Sequence, residues 1–312
     1  MLVSLAGGVG AARFLDGLVR AVPPSDVVAV VNTADDEEFH GLYVSPDLDS
    51  VTYTLAGASN AAQGWGLEGE TFAALDALGR YGVDTWFRLG DKDIATHLFR
   101  TQRLREGATL TEVTAEIAQA WGLALRLLPM SDDRVRTRIS VRRAGGAVEE
   151  LAMQRWFVGE RAESPVVSVR FAGAEAARPA PGVLEALRTA ETIVICPSNP
   201  VISIGPILAV PGIRDALVAR RERVIGISPI VGGAPVKGPA DRLMEPLGIE
   251  VSCVGVARAY HDVCSALVID AVDEHLAADV EATGVRAIVT DTMMRSPEIA
   301  TQLARRTLAA VA

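Results

Sequence analysis

Short apolar runs alternate with amphipathic stretches along the chain. Leu2–Ala6 reads as a buried strand, and Gly7-Gly8-Val9-Gly10 follows it. From Ala11 to Val22 the apolar residues Phe14, Leu15, Leu18 and Val19 recur at helical spacing, and Pro23-Pro24 stops that helix. Val27–Val31 is a second buried strand. This β–glycine turn–α–β order is the mononucleotide-binding half-unit. Ala34–Gly69 is rich in Asp, Gly and polar residues and carries little regular pattern. Loops of that length inside a compact domain are usually functional.

Thr71–Gly79 predicts a helix and Thr85–Leu89 a strand. Thr109–Ala120 predicts a helix opened by a Thr109–Glu112 capping box, with Leu110, Val113, Ile117 and Trp121 on its apolar face. Leu123–Leu128 reads as a strand. Thr137–Val141, Val148–Val158 and Val166–Phe171 are β-like and predict a β-rich lobe inserted at about 130–180, with Ala176–Gly182 as its junction. Strands are then expected at Thr192–Cys196, Val224–Ile227, Val251–Gly255 and Ala287–Thr290. Helices are expected at Ile207–Arg221, Ala240–Leu247, Tyr260–Leu267 and Pro297–Ala310, the last capped by Ser296 with Pro297 at its first position. The sum is an α/β fold: a Rossmann-like, mostly parallel sheet flanked by helices. Residues 1–312 form one domain with the smaller lobe inserted, and ligands lie at the strand C-terminal ends.

Aromatics make up 5% of the residues, and the apolar content is mostly Ala, Val, Leu and Ile, which suits a parallel sheet covered on both faces. The net charge of −9 argues against a nucleic-acid partner, and against reading 109–120 as part of a DNA-binding helix pair. It leaves an anionic small molecule open, because local amides, cations and a metal can overcome the global sign. Cys196, Cys253 and Cys264 are widely spaced without a CxxC pair and read as buried free thiols in a reducing compartment. No apolar run reaches the length of a membrane span and no signal peptide is recognisable, so a cytoplasmic protein without a membrane partner is expected.

Six polar clusters follow apolar runs. Gly7, Gly8 and Gly10 end a strand and open a helix, where bare backbone and free N–H groups suit a phosphate; close packing of strand on helix is the alternative. The turn is neither a Walker A loop nor a clean GxGxxG, since Arg13 takes the sixth position counted from Gly8. Asn32 and Asp35 lie at the end of the second strand, where an acid can hold ribose hydroxyls. Asp47 and Asp49, spaced i and i+2 after Pro46, point the same way in an extended segment and would need a cation such as Mg²⁺ beside a phosphate. A Pro-Asp turn with exposed acids is the other reading. Arg88 and Lys92 in Arg88-Leu89-Gly90-Asp91-Lys92-Asp93 could neutralise phosphoryl charge or form a surface ion-pair turn. Met130-Ser131-Asp132 and Pro197-Ser198-Asn199-Pro200 each follow a strand, as does Ser228-Pro229-Ile230; turn chemistry explains them equally. The histidines are scattered, no HExxH or GxSxG occurs, and alternating Arg134, Arg136 and Arg138 read as surface.

In this order the pieces resemble one family, the 2-phospho-L-lactate transferases, CofD in archaeal naming and FbiA in actinobacterial naming. The likeness rests on Ala6-Gly7-Gly8-Val9-Gly10 with Arg13-Phe14, Val31-Asn32-Thr33-Ala34-Asp35-Asp36, and Pro46-Asp47-Leu48-Asp49 with Tyr53-Thr54-Leu55. Gly64-Trp65-Gly66-Leu67, Gly90-Asp91-Lys92-Asp93, Met130-Ser131-Asp132, Pro197-Ser198-Asn199-Pro200 and Ser228-Pro229-Ile230 extend it over essentially the whole chain. The resemblance implies a step in making coenzyme F-420. A guanosine-diphosphate-linked lactate or enolpyruvate passes its phosphorylated three-carbon acid to the terminal ribityl hydroxyl of the deazaflavin Fo, and GMP leaves. Mg²⁺ and a homodimer are expected.

On that reading Asp49 and Arg88 are catalytic at the Fo end, and Asp91 and Lys92 line the acceptor side. Gly7, Gly8, Gly10, Asn32, Asp35, Ser131, Asp132, Ser198 and Asn199 serve the donor, and Asp47 with Asp49 holds the metal. Asp49→Asn is then expected to collapse turnover far more than stability. An NAD(P)-dependent oxidoreductase is the main rival, disfavoured by the glycine spacing and the lack of a catalytic His or Tyr constellation. A non-catalytic nucleotide sensor is the second.

Overall fold

The computed structural model describes residues 1–60 and 63–310. Seven strands form the main sheet: β1 (Leu2–Ala6), β2 (Val27–Val31), β3 (Arg126–Pro129), β4 (Thr192–Ile195), β5 (Val224–Ile227), β6 (Ala266–Asp270) and β7 (Arg286–Thr290). Their spatial order is β7-β6-β5-β4-β1-β2-β3, and every neighbouring pair is parallel. β1 therefore lies between β2 and β4, the point where the winding reverses. Loops leaving β1 and β4 diverge there and open a crevice at the carboxyl ends of the strands.

The strands are apolar because helices cover both faces. In β2, Val28 and Val30 enter one core layer while Val27, Ala29 and Val31 enter the other, following the two-residue period of a strand. The main helices are α1 (Gly8–Ala21), α2 (Pro46–Leu55), α3 (Asp91–Arg105), α4 (Leu110–Ala120) and α5 (Pro297–Ala309). α1 buries Phe14, Leu15 and Leu18 completely, each contributing about 1.5–3 kcal/mol, and packs against α2 and α5. A side chain on Gly17 would stand 2.4 Å from the Ala300 backbone, so this glycine sets how closely α1 and α5 approach.

Arg136–Arg142, Val148–Ala152 and Val166–Ala172 make a separate antiparallel sheet with Arg136–Arg142 at its centre. The expected Val148–Val158 strand stops at Ala152; a helical turn over Arg155–Gly159 follows and buries Trp156. Among the described residues no helix is long and apolar enough to cross a membrane. All three cysteines are free and buried, and burial raises each thiol's pKa, to about 11 for Cys253 and about 12 for Cys264, which disfavours the thiolate.

Several expected elements differ. Residues 85–89 form no strand; Phe87 stacks on Phe39 with ring centroids 3.8 Å apart, and Leu89 joins the same small cluster. Val251–Gly255 is not a strand, because the Ser252 hydroxyl accepts the Gly255 N–H and starts a helix over Cys253–Tyr260. The expected helix at Tyr260–Leu267 gives way to β6, an apolar run too short for period alone to assign. Ile207–Arg221 is broken at Pro211-Gly212 into Gly205–Ala209 and Ile213–Val218, with Gly212 in the left-handed region at φ 86°. The stretch 34–69 holds a hairpin, Glu37–Phe39 with Leu42–Val44, and then α2.

The α4 capping box forms as expected: Thr109 accepts the Glu112 N–H at 3.2 Å, and Glu112 accepts the Thr109 N–H at 2.8 Å. Thr109→Ala should lower stability by about 1 kcal/mol in urea unfolding with turnover unchanged; no loss would contradict the cap.

Candidate active site

A cavity of about 580 Å³ opens at the carboxyl ends of β1 and β4. Its floor is the glycine turn and the Pro197–Asn199 loop, and the start of α2 forms one wall. Segments 63–66, 86–89, 236–240 and 292–295 line it as well, together with Tyr53, Asp93, His97, Gln154 and Phe157.

The turn is shaped by three different constraints. Gly8 has φ +71°, a left-handed conformation that side chains resist. A Cβ on Gly10 would fall 2.3 Å from the Pro197 carbonyl oxygen, and one on Gly7 would fall 2.6 Å from Ser203 Cβ. The packing role weighed for this turn is therefore real at Gly7 and Gly10. It coexists with an open helix end: α1 has no side-chain cap and no acid in its first turn. Such an end presents a partial positive charge and the Val9 and Gly10 amides to the cavity, while Asp47 accepts the Gly8 N–H. The Gly7 N–H donates to Ser198 Oγ at 3.2 Å, tying the β1 loop to the β4 loop.

Asp47 and Asp49 do not share an extended segment. Pro46 opens α2, so both acids occupy its first turn and face different partners. Asp47 turns to the glycine loop, where the Gly8 N–H helps hold it. The Asn32 amide donates to Asp47 Oδ2 at 2.9 Å and to Asp35 Oδ2 at 3.1 Å, so one donor serves two buried carboxylates. Asp35 is buried, and the Thr137 hydroxyl and the Asn32 amide are the donors that favour its carboxylate. Burial, then the Asp47 charge, pushes Asp35 well above the usual carboxylate range; burial also raises Asp47 to about 6 against the Asn32 and Gly8 donors.

Asp36 lies behind this pair, accepts the Ser45 hydroxyl at 2.6 Å, and is raised by burial to about 7. An acid raised on folding adds stability that is complete below about pH 4 and is lost as pH climbs through about 7. Metal-free Asp36→Asn should therefore gain more melting temperature over the parent at about pH 8 than at about pH 5. Equal shifts at both pH values would contradict the burial account.

Asp49 faces the other way, into a buried polar network. Arg100 donates through Nη1 to Asp49 Oδ2 at 3.2 Å and through Nη2 to Oδ1. His97 lies between the acids, with Nδ1 3.7 Å from Asp49 and Nε2 3.3 Å from Asp93. The Tyr53 hydroxyl donates to Asp93 Oδ1 at 2.5 Å. Burial, which would raise Asp93, is outweighed by His97 and Tyr53, and its carboxyl is held low. One ligand atom each from Asp49, Asp93 and His97 lies within 4.8 Å of the others. A hard cation there would meet an imidazole and a carboxylate already held by Arg100. The Asp35–Asp47 pair, which meets the glycine turn through Asp47, offers two carboxylates with no imidazole or paired arginine between them, a donor set that fits Mg²⁺.

The cavity brings together Gly7, Gly8, Gly10, Asp35, Asp47, Asp49, Arg88, Ser198 and Asn199. Arg88 lies 4.0 Å over the Phe72 ring. Asn32 sits beneath the acids rather than on the surface of the cavity. Asp91, Lys92, Ser131 and Asp132 are placed elsewhere. Asp91 accepts the Thr71 hydroxyl and the Ala73 and Ala74 amides, which lower its pKa. Lys92 reaches Glu68 O at 2.7 Å, Ser131 donates to Arg178 O at 2.6 Å, and Asp132 accepts the Thr111 N–H at 2.7 Å. Of the alternating arginines, Arg136 is buried rather than on the surface.

The residues that sequence reading left out are Tyr53, His97, Arg100, Arg13 as a cavity residue, and Lys237. Asp93, His97 and Arg100 recur at i, i+4 and i+7 on α3, a polar stripe that could have been found.

Comparison with known proteins extends the picture. The family described as "2-phospho-L-lactate transferase CofD" matches residues 2–306. A Streptomyces griseus protein named phosphoenolpyruvate transferase is 46% identical over 309 residues, covering 98% of this chain and 97% of its own. A Methanosarcina mazei protein named 2-phospho-L-lactate transferase is 39% identical over 303 residues, covering 97% and 98%. A solved Bacillus halodurans protein described as a upf0052 family member has the same fold, with TM-score 0.63 at 17% identity over 98% of this chain and 99% of that one. The cavity at the winding reversal, with its glycine turn and flanking acids, thus lies in a chain that belongs to the CofD family of 2-phospho-L-lactate transferases.

Proposed function

We propose that this chain transfers a phosphorylated three-carbon acid from a guanosine-diphosphate-linked donor to the terminal ribityl hydroxyl of Fo, as a step towards coenzyme F-420. The observation that carries this reading is the open N-terminus of α1 facing the Asp35–Asp47 pair across one turn of glycines. That arrangement suits a diphosphate with a divalent cation. Higher identity to the S. griseus phosphoenolpyruvate transferase, 46% against 39% for the M. mazei enzyme, favours an enolpyruvyl donor.

In the proposed reaction the ribityl oxygen bonds to the phosphorus nearer the acid. The bond from that phosphorus to the bridging oxygen breaks, GMP leaves with the electron pair, and the hydroxyl proton is released. The amides of the glycine turn bind the phosphates, and the Ser198 hydroxyl and Asn199 position them. Asp35 and Asp47 would hold Mg²⁺, which would supply charge neutralisation at the diphosphate. Arg88 and Asp49 line the acceptor end, with Arg100 fixing the Asp49 carboxylate. Phosphoryl transfer needs mainly such positioning and charge neutralisation. The homodimer implied by the family likeness and the cytoplasmic setting expected from the sequence belong to the same proposal.

The test mixes protein, Fo, Mg²⁺ and each candidate donor, and follows GMP release and product mass. Stoichiometric GMP with a product carrying the three-carbon acid is expected, lost on chelation. Tight NADH binding with no reaction of any guanylated donor would replace this reading with the oxidoreductase one.

A further inference from the structure

Two cations stand at the rim of the cavity with no acidic partner. Arg13 projects from α1, just beyond the glycine turn, and Lys237 from the loop that follows β5. Among the described residues Arg13 makes no hydrogen bond or ion pair, and the Lys237 ammonium makes one contact, to Gly64 O at 3.3 Å. Partial desolvation, and then the neighbouring charge of Arg13, lowers the Lys237 pKa, so the two cations lie in each other's field. The other cavity cations are engaged: Arg295 pairs with Asp291 at 3.0 Å, and Arg88 covers the Phe72 ring.

Like charges held together oppose folding unless something offsets them. Here no acidic side chain among the described residues does. The free N-terminus of α1 adds further positive potential on the same helix as Arg13. We propose that Arg13 and Lys237 form an anion subsite that grips phosphoryl or carboxylate oxygens of the donor. The assignment rests on the donor reading above and adds two residues to it. Binding moves the Lys237 ammonium from the Gly64 carbonyl to the anion, so a neutral hydrogen bond gives way to a charge-assisted one.

Calorimetric titration of pyrophosphate, GDP and phosphoenolpyruvate into the full chain, Arg13→Met, Lys237→Met and Lys237→Arg tests it. Each Met variant should weaken binding about tenfold and flatten its salt dependence, with melting temperature equal to the parent's or higher because no ion pair is lost and a like-charge repulsion is relieved. Lys237→Arg should retain affinity. Weakened pyrophosphate and GDP assign the subsite to phosphoryl oxygens. Weakened phosphoenolpyruvate with unchanged pyrophosphate and GDP assigns it to the carboxylate. All three ligands binding both Met variants as tightly as the parent would overturn the subsite while leaving the donor reading intact. Parent protein that binds pyrophosphate but not GDP contradicts the donor reading and keeps the subsite; parent protein that binds none of the three overturns both.

Discussion

Asp49→Asn will abolish turnover and will also lower the stability of the free protein by about 3–5 kcal/mol. The sequence reading, with Asp49 on an extended segment and holding a metal, expects turnover to fall far more than stability. The structure buries Asp49 against Arg100, whose side chain is 2% exposed and takes both carboxylate oxygens. Burial disfavours the Arg100 charge, and Asp49 restores it. An asparagine there keeps the shape and removes the counter-charge, leaving a guanidinium in the interior. Arg100→Met should destabilise in the same way by stranding Asp49, and the double substitution should recover part of both losses. Urea unfolding of the four proteins measures the coupling. A stability loss under about 1 kcal/mol in Asp49→Asn would show that the pair is solvated.

Gly10→Ala is the second large effect. Its methyl group would fall 2.3 Å from the Pro197 carbonyl oxygen, and neither backbone can yield alone. The N-terminus of α1 must move away from the Pro197–Asn199 loop, loosening the Gly7–Ser198 bond. A shift of about 1 Å at such a site costs about 10²-fold in rate. Gly8→Ala makes the useful contrast. Space is available there, the nearest atom being Asp47 Oδ1 at 3.7 Å, but φ is +71°. It should lower stability by about 1–2 kcal/mol through backbone strain. Equal kinetics for Gly10→Ala and the parent would remove the close approach from the account.

β1, the glycine turn and β2 were legible in the sequence because continuous apolar runs and glycines report directly on burial and backbone freedom. α3 was not, since the face it buries is Asp93, Thr96, His97, Arg100 and Thr101. A helix that buries polar groups leaves no hydrophobic period to find; its one signal was the polar stripe of Asp93, His97 and Arg100, and without it the network around Asp49 went unseen. The helical setting of Asp47 and Asp49 did leave a signal: Pro at the first position with acids in the first turn is a helix start. The segment from Val251 to Asp270 misled for another reason. Its apolar residues suit either period over so short a span, and the Ser252 cap decides between them. Placement of Asp91, Lys92, Ser131 and Asp132 away from the cavity depends on long-range packing that no local pattern encodes.

The most direct test is a solved complex with GDP and Mg²⁺. The account predicts diphosphate oxygens on the amides of Val9 and Gly10 and the metal on Asp35 and Asp47. A guanine nucleotide bound with its phosphates away from that turn, or a metal seated on other residues, would contradict it.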